Sequence, residues 1–210
     1  SMACEILSID APHMLKISWG STGGVTFRLE EQGSDVMLTL IHRDLAGLAT
    51  LDEVVSTVTA LAEVAIGSAV RAAHAEQAAL HGEPARGERL LVVGMGKLGG
   101  GELNVSSDVD LVFLHAADGD TDGARSLSHH EFFSRVGKRA IGLLSDVTAE
   151  GYVFRVDLRL RPDPGATPVA LPTEAALAYY ESRGQNWERA AWIKARPCAG
   201  DPRAGEALIA

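Results

Sequence analysis

Two aspartates one residue apart, directly after a glycine-rich run, constrain this chain more than any other feature. Asp108 and Asp110 open an apolar stretch that reaches Leu114, and this pattern predicts a β-strand. Side chains alternate along a strand, so both carboxylates point to one face while Val109 and Leu111 point to the other. Paired carboxylates suit Mg²⁺, which binds through oxygen ligands and substrate phosphates.

The glycine-rich run, residues 94–101, precedes this strand. Glycines let backbone N–H groups approach a phosphate closely, so Gly94 and Gly96 are candidate phosphate-binding positions, with Lys97 as a charged neighbour. Ser106 shares a face with the aspartates; it is either a phosphate or metal-water contact or only a turn residue. An Asp-x-Asp pattern alone is also typical of a solvated strand end, but its position after a glycine-rich turn favours phosphoryl or nucleotidyl transfer.

A second strand is predicted at residues 154–162, where apolar and charged residues alternate strictly. Its charged face carries Asp157 between Arg155 and Arg159, followed by Arg161. Asp157 is a candidate third metal ligand or general base, and Arg159 and Arg161 are candidates for bidentate contacts to phosphate oxygens. The alternative is a half-exposed strand with surface salt bridges.

A helix is predicted at residues 187–196, but its charges circle the helix instead of forming one polar face. Two interpretations remain open. Either the helix lies between other elements with its ions paired, or Glu188, Arg189, Lys194 and Arg196 reach the active site.

The remaining chain predicts scaffold. Four alternating segments predict an antiparallel β-meander; they are residues 5–10, 14–19, 25–30 and 36–42. A capping box from Thr50 to Glu53 then opens a long apolar helix, which ends near residues 81–84. Ser128 caps a further helix that covers the sheet. These patterns divide the chain into a meander (1–43), a long helix (44–84) and a catalytic domain (85–210).

Composition limits the possible functions. The 210 residues are 46% hydrophobic, enough for a substantial core, and the net charge of −9 argues against a general nucleic-acid surface. Cys4 and Cys198 stand alone, which favours a reducing, cytoplasmic environment over a disulfide framework. We expect no membrane contact, because no stretch of residues has both the length and the apolar composition needed to span a bilayer.

Three segments, residues 94–111, 155–162 and 186–196, closely resemble the glutamine synthetase adenylyltransferase family. That resemblance covers the chain from about residue 44 and implies an α+β fold, with a polymerase-beta-like nucleotidyltransferase sheet flanked by helices. The β-meander and the long helix precede that sheet. Residues 1–43 resemble instead a fragment of the helix-grip domains related to the activator of Hsp90 ATPase. The chain is therefore also a candidate chimera, joined near residue 43.

The sequence of the first segment, residues 94–111, is similar to that of the adenylyl-removing half of this bifunctional family. The resemblance implies that orthophosphate attacks the adenylyl-tyrosine of glutamine synthetase and releases ADP, with Mg²⁺ on Asp108, Asp110 and Asp157. It also favours a site-facing Lys194. Adenylyl transfer from ATP to the same tyrosine is the alternative. Implied partners are glutamine synthetase, ATP or ADP, orthophosphate and regulatory proteins of nitrogen signalling.

Two further hypotheses belong to other classes. The family's domain normally continues past Ala210, so the chain is expected to be C-terminally truncated, and an inactive fragment that keeps only the metal-nucleotide site is possible. A small-molecule binding module on the meander is the third hypothesis, and the incomplete helix-grip pattern argues against it.

Overall fold

A computed structural model describes residues 4–10, 14–19, 23–32, 35–43, 51–85, 88–116, 118–149 and 151–201. The chain divides into two compact units, Ser1–Leu51 and Asp52–Ala210, and each is described by itself.

The first unit is a four-stranded antiparallel sheet. Its strands follow the chain order and are β1 (Cys4–Asp10), β2 (Met14–Trp19), β3 (Gly23–Gln32) and β4 (Asp35–Arg43). This arrangement matches the predicted meander. The predicted capping residue Thr50 lies outside the described residues.

The second unit combines helices with a five-stranded mixed sheet. In chain order its elements are α1 (Leu51–His81), β5 (Leu91–Gly94), α2 (Gly96–Gly99), β6 (Val109–His115), α3 (His129–Ser145), β7 (Val156–Asp157), β8 (Ala170–Pro172), α4 (Thr173–Ser182), α5 (Asn186–Ala191) and β9 (Arg196–Gly200). A 3₁₀ turn, Trp192–Lys194, separates α5 from β9. The α+β class, with a sheet flanked by helices and a long preceding helix, agrees with the prediction.

Strand β6 is the centre of this sheet. It pairs antiparallel with β5 on one side, and β5 pairs in turn with β9. On its other side β6 pairs in parallel with β7 through Val109 and Asp110, and then with β8 through residues 113–115. The two short strands therefore follow one another along the same edge of β6, and the chain between them must turn away and return.

Apolar residues bury both faces of the sheet. One face packs under α1 and α3, whose buried side chains include Ile66, Phe132 and Phe133. The other face packs under α4 and Trp192. Ser128 accepts a hydrogen bond from the Glu131 N–H at the start of α3, which is the cap that the sequence predicts.

Helix α1 corrects one sequence expectation. It is 31 residues long with a mean hydropathy of 1.5 over its most apolar window, so by length and composition it could cross a membrane. The helix contains no uninterrupted apolar run of that length, because polar residues such as Glu63 and Arg71 lie within it. The buried face of α1, which includes Ala62, Ile66 and Val70, packs into the sheet core. Core helices meet the same criterion, so it is weak evidence for a span.

Candidate active site

The parallel pairing of β6 with β7 brings two of the three predicted aspartates side by side. Asp110 and Asp157 are direct register partners, and partners in neighbouring strands project from the same face. Asp108 lies one residue before β6. The backbone N–H of Val109 donates to the Arg155 carbonyl at 2.9 Å, which ties the entrance of β6 to the segment before β7. The end of two strands thus carries three carboxylates.

The surroundings of Asp110 disfavour its ionised form. Burial raises its pKa above the ordinary value, and the negative charges of Asp157 and Asp108 raise it further. Arg159 and Lys97 oppose this shift through their positive charges. The pKa of Asp157 is instead lowered, chiefly by its hydrogen bond with the Arg159 side chain. Two neighbouring carboxyls with opposite pKa shifts are typical of catalytic sites, although structural ion pairs also produce them.

The glycine-rich run lies directly against Asp110. Gly96 has a φ of +55°, a backbone conformation that side chains rarely adopt. A Cβ at this position would also lie 2.8 Å from Oδ2 of Asp110. The positive φ therefore favours glycine at residue 96, and a side chain there would also have to displace the Asp110 carboxylate.

The backbone N–H groups of the turn are only partly available to a ligand. Gly94, the last residue of β5, pairs with Leu111 of β6. The Met95 N–H donates to the Asp110 carbonyl at 2.9 Å. The N–H groups of Gly96 and Lys97 begin α2, where a helix has no internal partner for them. Phosphate contacts from the turn are thus expected at residues 96 and 97 more than at Gly94.

Lys97 reaches over the loop between the turn and β6. Its ammonium donates to the Ser107 hydroxyl at 3.3 Å, and that hydroxyl donates to Oδ1 of Asn104 at 2.6 Å. Ser106, which lies beside Ser107, is exposed, and its carbonyl accepts a hydrogen bond from Arg155 at 3.1 Å. The alternating pattern does not single out Asn104 and Ser107 as site residues, although the Asn-x-x-Ser spacing before the aspartates was an available signal.

Two arginines neutralise the outer carboxylates. Arg159 donates to both oxygens of Asp157 from its side chain, at 2.8 Å from Nε to Oδ2, and its backbone N–H donates to Oδ1 at 2.8 Å. Nε of Arg155 lies 2.6 Å from Oδ1 of Asp108. The sequence placed Arg155 on the charged face but gave it no individual role.

Within the described residues, no group of three or more His, Cys, Asp or Glu side chains is arranged to hold a metal ion as it stands. The ion pairs with Arg155 and Arg159 engage carboxylate oxygens that a metal ion would need. The donor set is all carboxylate, the chemistry that Mg²⁺ selects, and a bound cation would oppose the rise in the pKa of Asp110, which burial causes first and the charges of Asp157 and Asp108 increase.

The arginine-rich segment, residues 154–162, differs from the predicted strand. Only Val156–Asp157 is a strand, and the chain turns at Arg159, so residues 154–162 do not form one continuous charged face. Arg161 donates from its guanidinium to the carbonyls of Leu158 and Pro164, at 3.0 Å and 2.7 Å. Its described contacts therefore stabilise the turn that lets the chain return as β8.

The helix predicted at residues 187–196 is also shorter than expected. Helix α5 ends at Ala191, a 3₁₀ turn follows, and Arg196 already begins β9. Lys194 forms an ion pair with Glu102, 2.7 Å from Nζ to Oε2, just beyond the glycine-rich turn. Buried Glu188 accepts hydrogen bonds from the Tyr179 hydroxyl and the Gln185 N–H. Lys194 and Arg196 form ion pairs, as the first interpretation expects, whereas Glu188 is held by uncharged donors and Arg189 donates to Oδ1 of Asn186 at 2.9 Å. None of the contacts described for these four residues is with Asp108, Asp110 or Asp157.

Comparison with known proteins identifies the family. The family model of glutamate-ammonia ligase adenylyltransferase matches residues 26–209. The chain belongs to this family. The bifunctional glutamine synthetase adenylyltransferase/adenylyl-removing enzyme of Bordetella pertussis is 49% identical over 197 residues, covering 91% of this chain and 20% of the relative. The corresponding protein of Chromobacterium violaceum is 53% identical over 173 residues, covering 79% and 19%.

The glutamate-ammonia ligase adenylyltransferase match has two consequences for the predicted organisation. The chain spans about a fifth of the length of the curated relatives that it matches. The match also begins at residue 26, within β3, and the B. pertussis alignment leaves about 19 of the 210 residues outside. Both findings extend the family resemblance upstream of residue 44 and favour a continuous family segment over a fusion near residue 43.

Proposed function

We propose that this chain is a Mg²⁺-dependent nucleotidyltransferase segment that removes the adenylyl group from a tyrosine of glutamine synthetase by phosphorolysis. The observation that carries the proposal is the in-register pairing of Asp110 with Asp157, with Asp108 adjacent and Gly96 against the Asp110 carboxylate. The family match and the relatives' names supply the substrate class.

The reaction is a displacement at phosphorus. An oxygen of orthophosphate attacks the adenylyl phosphorus, and the bond from phosphorus to the tyrosine oxygen breaks. Orthophosphate gives up a proton and the tyrosine oxygen takes one up, so the products are ADP and a free tyrosine hydroxyl. Such reactions depend mainly on positioning and on stabilising negative charge. Asp108, Asp110 and Asp157 would hold Mg²⁺, which supplies charge neutralisation at the phosphate oxygens when bound.

Residues of this chain contribute the remaining positive charge. Lys97 and Arg159 lie close enough to Asp110 to lower its pKa by Coulomb interaction, so both cations face the carboxylate site. Arg159 is 85% exposed while Asp157 is 12% exposed, so the guanidinium forms the outer wall of the site. Arg159 is thus the cation best placed to meet a phosphate that enters from solvent.

Adenylyl transfer from ATP to the same tyrosine is the second candidate, because the relatives' printed name carries both activities. In that direction the tyrosine oxygen attacks the α-phosphorus of ATP and pyrophosphate leaves. The same carboxylates and cations serve both reactions, and the resemblance of residues 94–111 to the adenylyl-removing half is what favours removal.

The two directions and an inactive fragment give different products. The chain is incubated with adenylylated glutamine synthetase, Mg²⁺ and orthophosphate, and ADP is measured; in parallel, unmodified glutamine synthetase and labelled ATP are used and label on the protein is measured. ADP that requires phosphate and is lost in Asp108→Asn supports removal. Label on glutamine synthetase would instead support adenylyl transfer from ATP as the activity of this chain. Neither product, with Mg·ADP binding intact, would show an inactive fragment.

A further inference from the structure

Arg196 lies outside the carboxylate site but makes a dense set of contacts beneath it. Its Nε donates to the Gly99 carbonyl at 3.1 Å, and its Nη2 donates to the Leu98 carbonyl at 3.3 Å. The same guanidinium forms an ion pair with Glu63 on α1. Both carbonyls belong to the last residues of α2. The Leu98 carbonyl also accepts the Gly101 N–H at 3.1 Å, so the Arg196 guanidinium is an additional donor there.

The backbone around Arg196 is packed against the turn with no spare room. Gly94 lies between Leu111 of β6 and Arg196 of β9 in the sheet. A Cβ on Gly99 would lie 1.9 Å from the Lys194 carbonyl and 2.4 Å from the Gly94 carbonyl, so only glycine allows this approach. Lys194 adds its ion pair with Glu102 on the far side of the turn.

We propose that Arg196 is a positioning residue for the glycine-rich turn, which it ties to Glu63 and thereby holds Gly96 and Lys97 at the Asp110 carboxylate. The inference rests on the proposed function of that site. It also explains the third family-like segment, residues 186–196: its C-terminal end fixes the shape of the first segment and does not itself touch the carboxylates through any contact described. The turn is short, so its position depends on what holds it from outside.

Arg139 provides a matched control. Its guanidinium pairs with Glu76, also on α1, at 2.7 Å and 3.1 Å, but it projects from α3 and not from the segment that packs against the glycine-rich turn. Arg139→Gln and Arg196→Gln therefore each remove a guanidinium that binds a glutamate of the same helix. Only the second also releases carbonyls of the turn.

The test measures Mg·ADP binding by calorimetry and amide hydrogen exchange, well below the melting temperature of every variant. Arg196→Gln is expected to weaken Mg·ADP binding about tenfold, the lower end of the range for residues that orient the groups of a binding site without contacting the ligand. It is also expected to speed amide hydrogen exchange at residues 96–101. Arg196→Lys keeps the charge for Glu63 but loses the planar fork, so it should recover part of the affinity. Arg139→Gln should change neither measurement.

Several outcomes would overturn the proposal: unchanged exchange at residues 96–101 in Arg196→Gln, or an equal loss of ADP affinity in Arg139→Gln. If Arg196→Gln does not fold, Glu63→Gln tests the same tie with a smaller expected effect on exchange and affinity. Wild-type protein that binds no Mg·ADP, or Asp110→Asn that binds it as well as wild type, would contradict the proposed function. The exchange measurement would still decide the role of Arg196.

Discussion

The glycine-rich turn and the arginine-rich segment meet the carboxylates in different ways: Gly96 lies against Asp110, while Arg155 and Arg159 pair with Asp108 and Asp157. The turn is held by backbone packing at Gly99, where a Cβ would lie 1.9 Å from the Lys194 carbonyl oxygen and no methyl group fits. The arginine side chains are exposed, 59% for Arg155 and 85% for Arg159, and are held by ion pairs. One wall of the site is built into the fold, and the other is made of side chains that solvent can reach.

The largest effect is expected from filling the packed wall. Gly99→Ala places a methyl group against backbone carbonyls that cannot rotate away, so the free energy of unfolding should fall by about 3 kcal/mol or more, the upper range for overpacking. Denaturant melts measure this loss. Gly165→Ala is the control, because a Cβ there meets nothing within 4 Å. Equal stability of the two variants would show that the turn is not tightly packed.

Asp110→Asn should separate stability from activity. The raised pKa of Asp110 means that the folded protein binds this proton more tightly than the unfolded chain, so the ionised carboxylate costs stability, increasingly as pH rises above about 3.9. Asparagine removes that cost. The melting temperature of Asp110→Asn should therefore exceed that of the wild type at pH 7, while the proposed adenylyl-removing activity should fall more than about 100-fold. A lower melting temperature at pH 7 would contradict the assigned electrostatics.

Much of this site follows from the sequence, and the parts that do not follow have identifiable causes. Alternation around Asp108 and Asp110 predicts the strand and its acidic face because that pattern is local. The end of β7 after Asp157 is not local: Arg161 closes a turn by binding two carbonyls, and alternating residues do not reveal such a turn. The end of α5 likewise depends on Arg196 pairing with Gly94 across the sheet, a tertiary contact that overrides helical pattern.

Arg159→Gln tests the exposed wall and should have a moderate effect on binding with little change in stability. Removing the guanidinium takes away the main cause of the lowered pKa of Asp157, so that pKa should rise toward its ordinary value. A lowered pKa stabilises the fold above about pH 3.9 and this contribution disappears as pH falls through the folded-state value. The wild type should therefore lose more stability than Arg159→Gln between pH 7 and pH 3.

The same Arg159→Gln variant sharpens the comparison through metal binding. If Arg159 competes with a cation for Asp157, Mn²⁺ alone should bind more tightly to the variant, while Mg·ADP should bind less tightly because a phosphate contact is lost. Titrations of each ligand measure the two changes. Parallel losses for both ligands would mean that the exposed wall is as rigidly built as the packed one.

The smallest effect is expected at the ion pair between Arg139 and Glu76, which links α3 to α1 far from either wall. Both side chains are more than one-third exposed, so solvent screens the pair and Arg139→Gln should cost only about 0.5 kcal/mol at neutral pH. The hydrogen bond from Arg139 lowers the pKa of Glu76, so the contribution exists above about pH 4.3 and disappears as the carboxylate is protonated in acid. Urea melts of both proteins at pH 7 and pH 3 should converge at the lower pH. A deficit that persists at pH 3 would show that Arg139 acts through packing of its aliphatic stem and not through its charge.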